Sequence, residues 1–503
     1  MSLSAAGRTG WLTVLAVLAI ALAIGFYLLS VAMAVLLFLL PFAIPFVAFA
    51  AVLCWPCAGA ILWAIVPRRI KWVDPGPELL RKAHPRLFAV IDEVAAATGQ
   101  KTPDHLYADL RVNATVLERR RFLFFGSRRI LVLGLPMVAS FDEMELRAVM
   151  ANGFGRFRGG ALSLNQFICR TRRAIEATLG RLRVRKKLVR VLFEPYALLY
   201  LRLTRAIGRQ QERLADALAA EIIGAEAFAA ALRKLFAVDA AMAMFWNCEY
   251  APALHSGFHL PFTTGLRSYL LDPRVRRSMD AAVTEELTAP RRDPYGTHPP
   301  LADRLRRLEK GSAKTSDFTA PSSVELLGDL DAVEIELLLH VFGLGRVREL
   351  QPLAWENAVD VLTLPRWRKA VSMGTLALGG RAVRDLPDLV RPLGADPFRG
   401  PADVDRGRAW MLGAALGMAL HRAGWRVRAS GATTMLISSV ATIDPFVEVA
   451  DLAAGSISAE AWGKRVEALG IASLPLDDRP RPAAPADPSA VLESATLQGQ
   501  EPA

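Results

Sequence analysis

Cysteine is scarce in this chain, and charge is missing altogether from its first stretch. Four cysteines in 503 residues, Cys54, Cys57, Cys169 and Cys248, do not make a disulfide framework. Cys54-Trp55-Pro56-Cys57 has the CxxC spacing of redox and metal motifs, yet it sits in an apolar run where a thiolate is costly. It reads as small apolar side chains. Between Arg8 and Arg68 no charged residue occurs. That run far exceeds the roughly 18 apolar residues that mark one membrane span, which excludes an ordinary soluble start to the chain. A cleaved signal peptide is excluded too, because its apolar core is only about 7 to 15 residues long.

What is there points to a membrane protein. Roughly 20 residues per span allow two long helices or three short ones, and Pro41, Pro45 and Pro56 mark kinks or the approach to a turn. Arg8 precedes the run, and Arg68, Arg69 and Lys71 follow it. Basic residues at both ends favour an even number of spans, so a two-span hairpin over 9–67 is expected, with both termini and the soluble domains cytoplasmic. The lipid bilayer is then the first partner. The net charge of +12 is concentrated between Arg170 and Arg190, where nine basic residues are opposed only by Glu176. Beside a membrane anchor such a stretch suits anionic head groups. It carries no interleaved aromatics and no recognisable module, so no nucleic acid is expected as a partner.

From Pro75 the composition turns mixed and globular. His105-Leu106-Tyr107 reads as a strand, and Phe122 to Phe125 and Ile130 to Leu133 as two more, joined by a hairpin around Gly126-Ser127. Ser140 followed by Glu143 reads as a capping box that opens a helix, with Leu146, Val149, Met150, Phe154 and Phe157 along its inner face. Asn152 and Arg156 share a different face. Gln210 to about Leu232 is the next strongly periodic segment and carries Glu212 and Asp216 one turn apart. Leu188 to Leu203 is apolar but too broken for a span, and an amphipathic helix is expected there. A linker is expected over 311–323, then an α+β unit over 324–476 and a disordered Pro- and Ala-rich tail over 477–503. In that unit Ala409 to Ala423 reads as a helix ended by Gly424, followed by strands at Trp425–Ala429 and Thr434–Ile443 and helices at Phe446–Ala454 and Ser458–Leu469.

The chemistry hangs on one window, Glu145-Leu146-Arg147-Ala148-Val149-Met150-Ala151-Asn152-Gly153-Phe154-Gly155-Arg156-Phe157. It resembles the ELxAVxAHExGHF helix of the HtpX-type and CAAX-prenyl-protease-type membrane zinc metallopeptidases, in which two His hold zinc and the Glu between them is the general base. Other windows are similar in order and spacing over about Asp104 to Leu308. Asn113-Ala114 resembles the family's substrate-flanking NA segment, and Glu212-Arg213-Leu214-Ala215-Asp216 its ExxAD third-ligand motif. Thr297-His298-Pro299-Pro300-Leu301 with Arg304 resembles its THPPxxxR segment. The resemblance implies a metallopeptidase-like, zincin-type domain over 75–310. The fold class expected for the whole is therefore α+β, mainly helical: an N-terminal transmembrane hairpin, this domain with a small antiparallel sheet, and a small C-terminal α+β domain.

The departures from the pattern fall on the chemistry. The ligand positions are Asn152 and Arg156, the base position is Gly153, and only Glu212 remains of the implied zinc set. No intact catalytic residue and no cofactor is expected, and whether the chain is an enzyme stays open, with the balance toward inactivity. Arg156 can supply Glu212 with the positive charge that zinc would, so an ion pair between them is expected, with Asn152 adding hydrogen bonds; the alternative is that Arg156 points to solvent. Asp216, His298, Asn113 and Ala114 are then groove or structural residues. The leading expectation is a membrane-anchored scaffold that binds a protein or peptide in the former substrate groove. The alternative is a zinc endopeptidase with a non-standard ligand set, for which His255 and His259, four apart, could join Glu212.

Overall fold

The computed structural model describes residues 5–43, 54–56, 58–59, 61–62, 73–122, 125–156, 171, 187–290, 299–308, 321–394, 403–430 and 433–477. The fold is mainly helical with small sheets. Two compact units form, one from Met1–Met244 with Phe262–Glu349 and one from Phe245–Pro261 with Leu350–Ala503.

In the first unit, helix α1 (Ala5–Ala43) contains Ile20–Ala43, a 24-residue stretch of mean hydropathy 2.6. It is long and apolar enough to cross a bilayer. Trp55 returns to stack on Phe38, ring centroids 6.0 Å apart, and its Nε1 donates to the Phe38 carbonyl at 3.3 Å. Most of the expected second span lies outside the described residues, as do much of the basic stretch of 170–190, the linker residues 311–320 and the tail from 478.

Helix α2 (Pro85–Ala97) leads into strands β1 (His105–Asp109), β2 (Ala114–Phe122) and β3 (Phe125–Gly134). The sheet order is β1-β3-β2, with β1 parallel and β2 antiparallel to β3. This corrects the expectation of a purely antiparallel sheet. β3 carries Ile130-Leu131-Val132-Leu133, buried on both faces, and such a continuous apolar run belongs in the centre rather than at an edge. The hairpin also turns earlier than expected, between Phe122 and Phe125, which pair with each other, so Gly126 and Ser127 lie inside β3. The charged run Glu118-Arg119-Arg120-Arg121 hid the strand, because it breaks apolar alternation while still pairing with β3.

Ser140 does not cap the motif helix. It ends the short helix α3 (Leu135–Ser140), where its hydroxyl donates to the Pro136 carbonyl at 2.7 Å. Helix α4 (Glu143–Gly155) instead opens on a capping box two residues later: Glu145 N donates to Asp142 Oδ1 at 2.8 Å, and Asp142 N donates to Glu145 Oε2 at 2.9 Å. Glu145 Oε2 also accepts from Lys234 Nζ at 2.8 Å. Both side chains are buried, which pins the start of α4 to a later helix.

Lys187–Ile223 forms one long helix, α5, which runs through Pro195 and packs along both α1 and α4. The segment Leu188–Leu203 is thus the first half of the Glu212 helix rather than a helix of its own. α4 crosses α5 closely, since a Cβ on Gly155 would lie 2.9 Å from Ala215 Cα. Gly224, at φ +99°, ends α5 before α6 (Ala225–Phe245), so the expected continuous helix to Leu232 is broken there. Helices α7 (Phe262–Leu271), α8 (Pro273–Thr288), α9 (Leu301–Leu308) and α10 (Leu330–Phe342) complete the unit.

Residues 321–349 belong to this first unit, so the division falls at 349/350 and not at 323/324. Ser323 donates through its backbone to Phe141 O and through Oγ to Val138 O. Buried Glu334 caps α7, accepting from Phe262 N at 2.7 Å and from Thr263 N and Oγ1. Of the expected linker only residues 321–323 are described, and the hydrogen bonds of Ser323 tie that end to the first unit.

The second unit packs helix α11 (Leu364–Met373) on α12 (Asp403–Arg422). Gly417 of α12 leaves room for the Trp367 ring, since a Cβ there would lie 2.5 Å from the ring. Gly424, at φ +90°, ends α12. Strands β4 (Arg426–Ser430), β5 (Thr433–Ile437) and β6 (Thr442–Ile443) follow in an antiparallel sheet, so the strand expected over Thr434–Ile443 is two strands joined by a turn. Helices α13 (Pro445–Ala453) and α14 (Ala459–Ala468, capped by Ser458) lie where the sequence put them.

Candidate functional site

α4 and α5 bring the motif positions together. Asn152, one turn from the C-terminal end of α4, is buried, and its Nδ2 donates to Asp216 Oδ1 at 2.8 Å. Arg156, at the C-cap of α4, puts Nη2 2.5 Å from Glu212 Oε1. Glu212 and Asp216 sit one turn apart on α5 and are both buried. The pair closes with a residue to which the sequence assigned no role, Arg304 of α9. Its Nε donates to Asp216 Oδ2 at 3.0 Å and its Nη2 to Asp216 Oδ1 at 2.6 Å, and the same Nη2 lies 3.7 Å from Glu212 Oε2. The one signal for Arg304 was its place at the end of the THPPxxxR-like window.

The result is two carboxylates and two guanidinium groups that balance one another. Burial works against the charge of Arg304, but the hydrogen bonds and negative charge of Asp216, with that of Glu212, outweigh it and hold the guanidinium above its usual value. The bidentate contact is the strong form of an Arg–carboxylate pair.

A catalytic zinc needs about three protein lone-pair donors and an open position. These residues do not fit it. A guanidinium offers no lone pair, an Asn amide is not among the Cys, His and carboxylate groups that hold zinc, and Glu212 already faces two cations. Among the described residues no three His, Cys, Asp or Glu side chains come together as a metal site. The alternative set built on His255 and His259 does not form either: His255 ends the helix Ala251–His255, Gly257 turns the chain at φ +86°, and His259 lies in the two-residue strand Phe258–His259. Two His share a helical face only if the helix continues between them.

Gly153 faces the start of β2. A Cβ at that position would lie 3.2 Å from the Ala114 carbonyl oxygen and 3.7 Å from Val116 Cγ2. Asn113 precedes the strand, and its carbonyl accepts from Gly134 N at 2.8 Å. His298 lies outside the described residues. Beside the network opens a cleft of about 700 Å³, whose walls include Val112, Leu232, Phe236, Asp239, Glu286 and Arg304.

Residues 82–312, which contain all of this network, match the family model described as Peptidase family M48. This region belongs to that family. No curated protein and no solved structure matches the chain. The match spans every window on which the sequence resemblance rests, and it places the buried quartet inside a metallopeptidase-type framework.

Proposed function

We propose that this protein is a membrane-anchored M48 homologue that has given up zinc catalysis and serves as a binding scaffold. The observation that carries the reading is the pairing of Arg156 and Arg304 with Glu212, which supplies positive charge to the one carboxylate that a metal would otherwise engage. With Gly at position 153 there is no carboxylate to activate a water. The framework around the quartet is kept: the capped α4 helix, the edge strand β2 that starts at Ala114, and the neighbouring cleft. A protein or peptide segment bound in that cleft is the partner this arrangement suits. The cleft lining combines apolar side chains with Asp239, Glu285, Glu286 and Arg304.

Metal analysis of the full-length protein, purified in detergent, tests the proposal together with a chelator-sensitive peptidase assay. Substoichiometric zinc and no chelator-sensitive cleavage are expected. One tightly held zinc per chain with turnover would overturn it in favour of an enzyme with an unusual ligand set.

A further inference from the structure

The helix pair of the second unit carries an apolar turn that its core does not use. α11 buries Trp367 and Val371, one turn apart, and Leu378 follows them into the same core. Between Val371 and Leu378 the chain turns at Gly374, where a Cβ would collide with Met411 Sδ of α12. Met373 and Leu376, on either side of that glycine, are 81% and 101% exposed. Their exposure is not a gap in packing, because Val371 and Leu378 already fill the inner side. Trp367 meets Gly417 and Gly374 meets Met411, so α11 and α12 run antiparallel, and α12 extends two turns beyond Met411 to Val404, itself 81% exposed. Three large apolar side chains thus stand exposed toward one end of the pair.

Charge around the turn is of one sign. From Val361 to Arg384 the chain carries five basic residues and no acidic one. Lys369 lies one turn before Met373 on the same helical face, and Arg368, Arg381 and Arg384 are exposed with it. The acids nearby are Asp385, whose Oδ1 lies 3.8 Å from Arg384 Nε, Asp405, which is half-buried, and Asp477, which is buried and accepts from Gly380 N at 3.4 Å. The turn also satisfies many of its own polar groups. Ser372 Oγ donates to Lys369 O at 2.8 Å and Thr375 Oγ1 to Ser372 O at 2.6 Å. The N–H groups of Gly374, Ala377, Leu378 and Gly379 donate to carbonyls of residues 370–375. None of these donors depends on water, so the turn can leave it at low cost.

We propose that this turn is an interfacial anchor of the second unit, in which Met373 and Leu376 enter an anionic bilayer while Arg368, Lys369, Arg381 and Arg384 lie among the lipid phosphates. Single exposed apolar residues are ordinary on a protein surface. Two at the tip of one turn, with cations behind them and the turn's hydrogen bonds largely closed, match a surface that is anionic at the head groups and hydrocarbon beneath. The tip protrudes and forms no groove, which suits a deformable bilayer better than a peptide. Each basic residue near an anionic surface contributes about five-fold in affinity, so four bias the turn firmly toward the membrane. The inference rests on the membrane anchorage of α1, which keeps such a surface within reach, and not on the loss of catalysis.

The test uses the full-length protein in nanodiscs of phosphatidylcholine alone or of phosphatidylcholine mixed with phosphatidylglycerol. An environment-sensitive dye is attached at Ala377→Cys, an exposed position beside Leu376, after Cys54→Ala, Cys57→Ala, Cys169→Ala and Cys248→Ala. Quenching of the dye by acrylamide, which is uncharged, should fall about threefold or more in the anionic discs. A dye at Glu460→Cys, on the exposed side of α14, should be quenched alike in both lipids. Arg368→Gln/Lys369→Gln/Arg381→Gln/Arg384→Gln should abolish the difference at 377, and Met373→Ser/Leu376→Ser should restore quenching in the anionic discs. Equal quenching at 377 in the two lipids would overturn the proposal. So would equal shielding at 460, or shielding of 377 in detergent without lipid, which would mean that a second copy of the chain covers the turn. Retention of the protein in the discs reads the α1 anchorage, and zinc content and peptidase assay read the loss of catalysis, so each reading can fail by itself.

Discussion

Asp216 carries more of the buried network than the motif residue Arg156. It accepts from Asn152 and, twice, from Arg304, all within the core, whereas the Arg156 side chain is 35% exposed and holds one contact to Glu212. Removing one partner of a buried pair costs about 3–5 kcal/mol, and a partly solvated one much less. Asp216→Ala should thus destabilise the M48 region by about 3–5 kcal/mol and Arg156→Ala by about 1–2 kcal/mol, the latter discounted for exposure. Thermal or denaturant unfolding of the two variants checks the order, and equal losses would mean that Arg304 does not bridge the carboxylates. His84 gives a residue-scale pH dependence. It is buried, and its Nδ1 accepts from Gly328 N at 2.9 Å, so the ring is neutral on that side. Burial lowers its pKa below the ordinary 6.5, against the negative charges of Glu336 and Asp329. The unfolded chain therefore takes up the proton first. The stabilisation is fully present above pH 6.5 and is lost as pH falls through the folded value. Unfolding midpoints between pH 8 and pH 5 should drop for the unmodified protein and drop less for His84→Gln.

At the scale of elements, the fate of α4 depends on what lies beside it. Gly153 and Gly155 let β2 and α5 come close, and this matters for any attempt to rebuild a metal site. Asn152→His with Arg156→His would restore two zinc ligands beside Glu212 but no base. Adding Gly153→Glu supplies one and gains about 1 kcal/mol of helix propensity. The new Cβ would meet the Ala114 carbonyl at 3.2 Å, however, so β2 must yield by a few tenths of an ångström. The double variant should bind zinc without turnover, and the triple variant should bind zinc, show weak chelator-sensitive cleavage, and melt no higher than the double one. Absence of zinc from both, by metal analysis, would mean that the cavity is no longer a latent metal site. The same scale explains two misplaced boundaries. Ser140 and Asp142 both look like caps, and only the direction of the chain out of α3 decides between them. Charged residues along β2 mask a strand whose pairing comes from β3.

For the molecule as a whole, the long apolar start and the M48 region are the two features that govern any experiment. α1 holds a 24-residue apolar stretch and packs along α5, the helix that carries Glu212 and Asp216 further on. With Arg8 before the apolar run and Arg68, Arg69 and Lys71 after it, a two-span hairpin with both termini in the cytoplasm is the expected topology. A reporter fused after Ala503 should be active on the cytoplasmic side, and activity on the other side would reverse that assignment.

Local pattern was enough to find the apolar segment, the M48 windows, the positions where this chain departs from the motif it resembles, and most helices of the second unit, because each is written in residues a few positions apart. The ion pair at Arg156 and Glu212 could be reasoned from the motif alone, since both positions belong to one known cavity. Tertiary structure alone decided that Arg304 closes the network from 88 residues beyond Asp216, and that Asn152 reaches Asp216 across 64. It also decided that β3 enters between β1 and β2, and that residues 321–349 fold with the first unit. The physical reason is common to all four. Periodicity reports which face of an element is apolar, but which distant group satisfies a buried carboxylate or covers an apolar strand depends on how the elements pack.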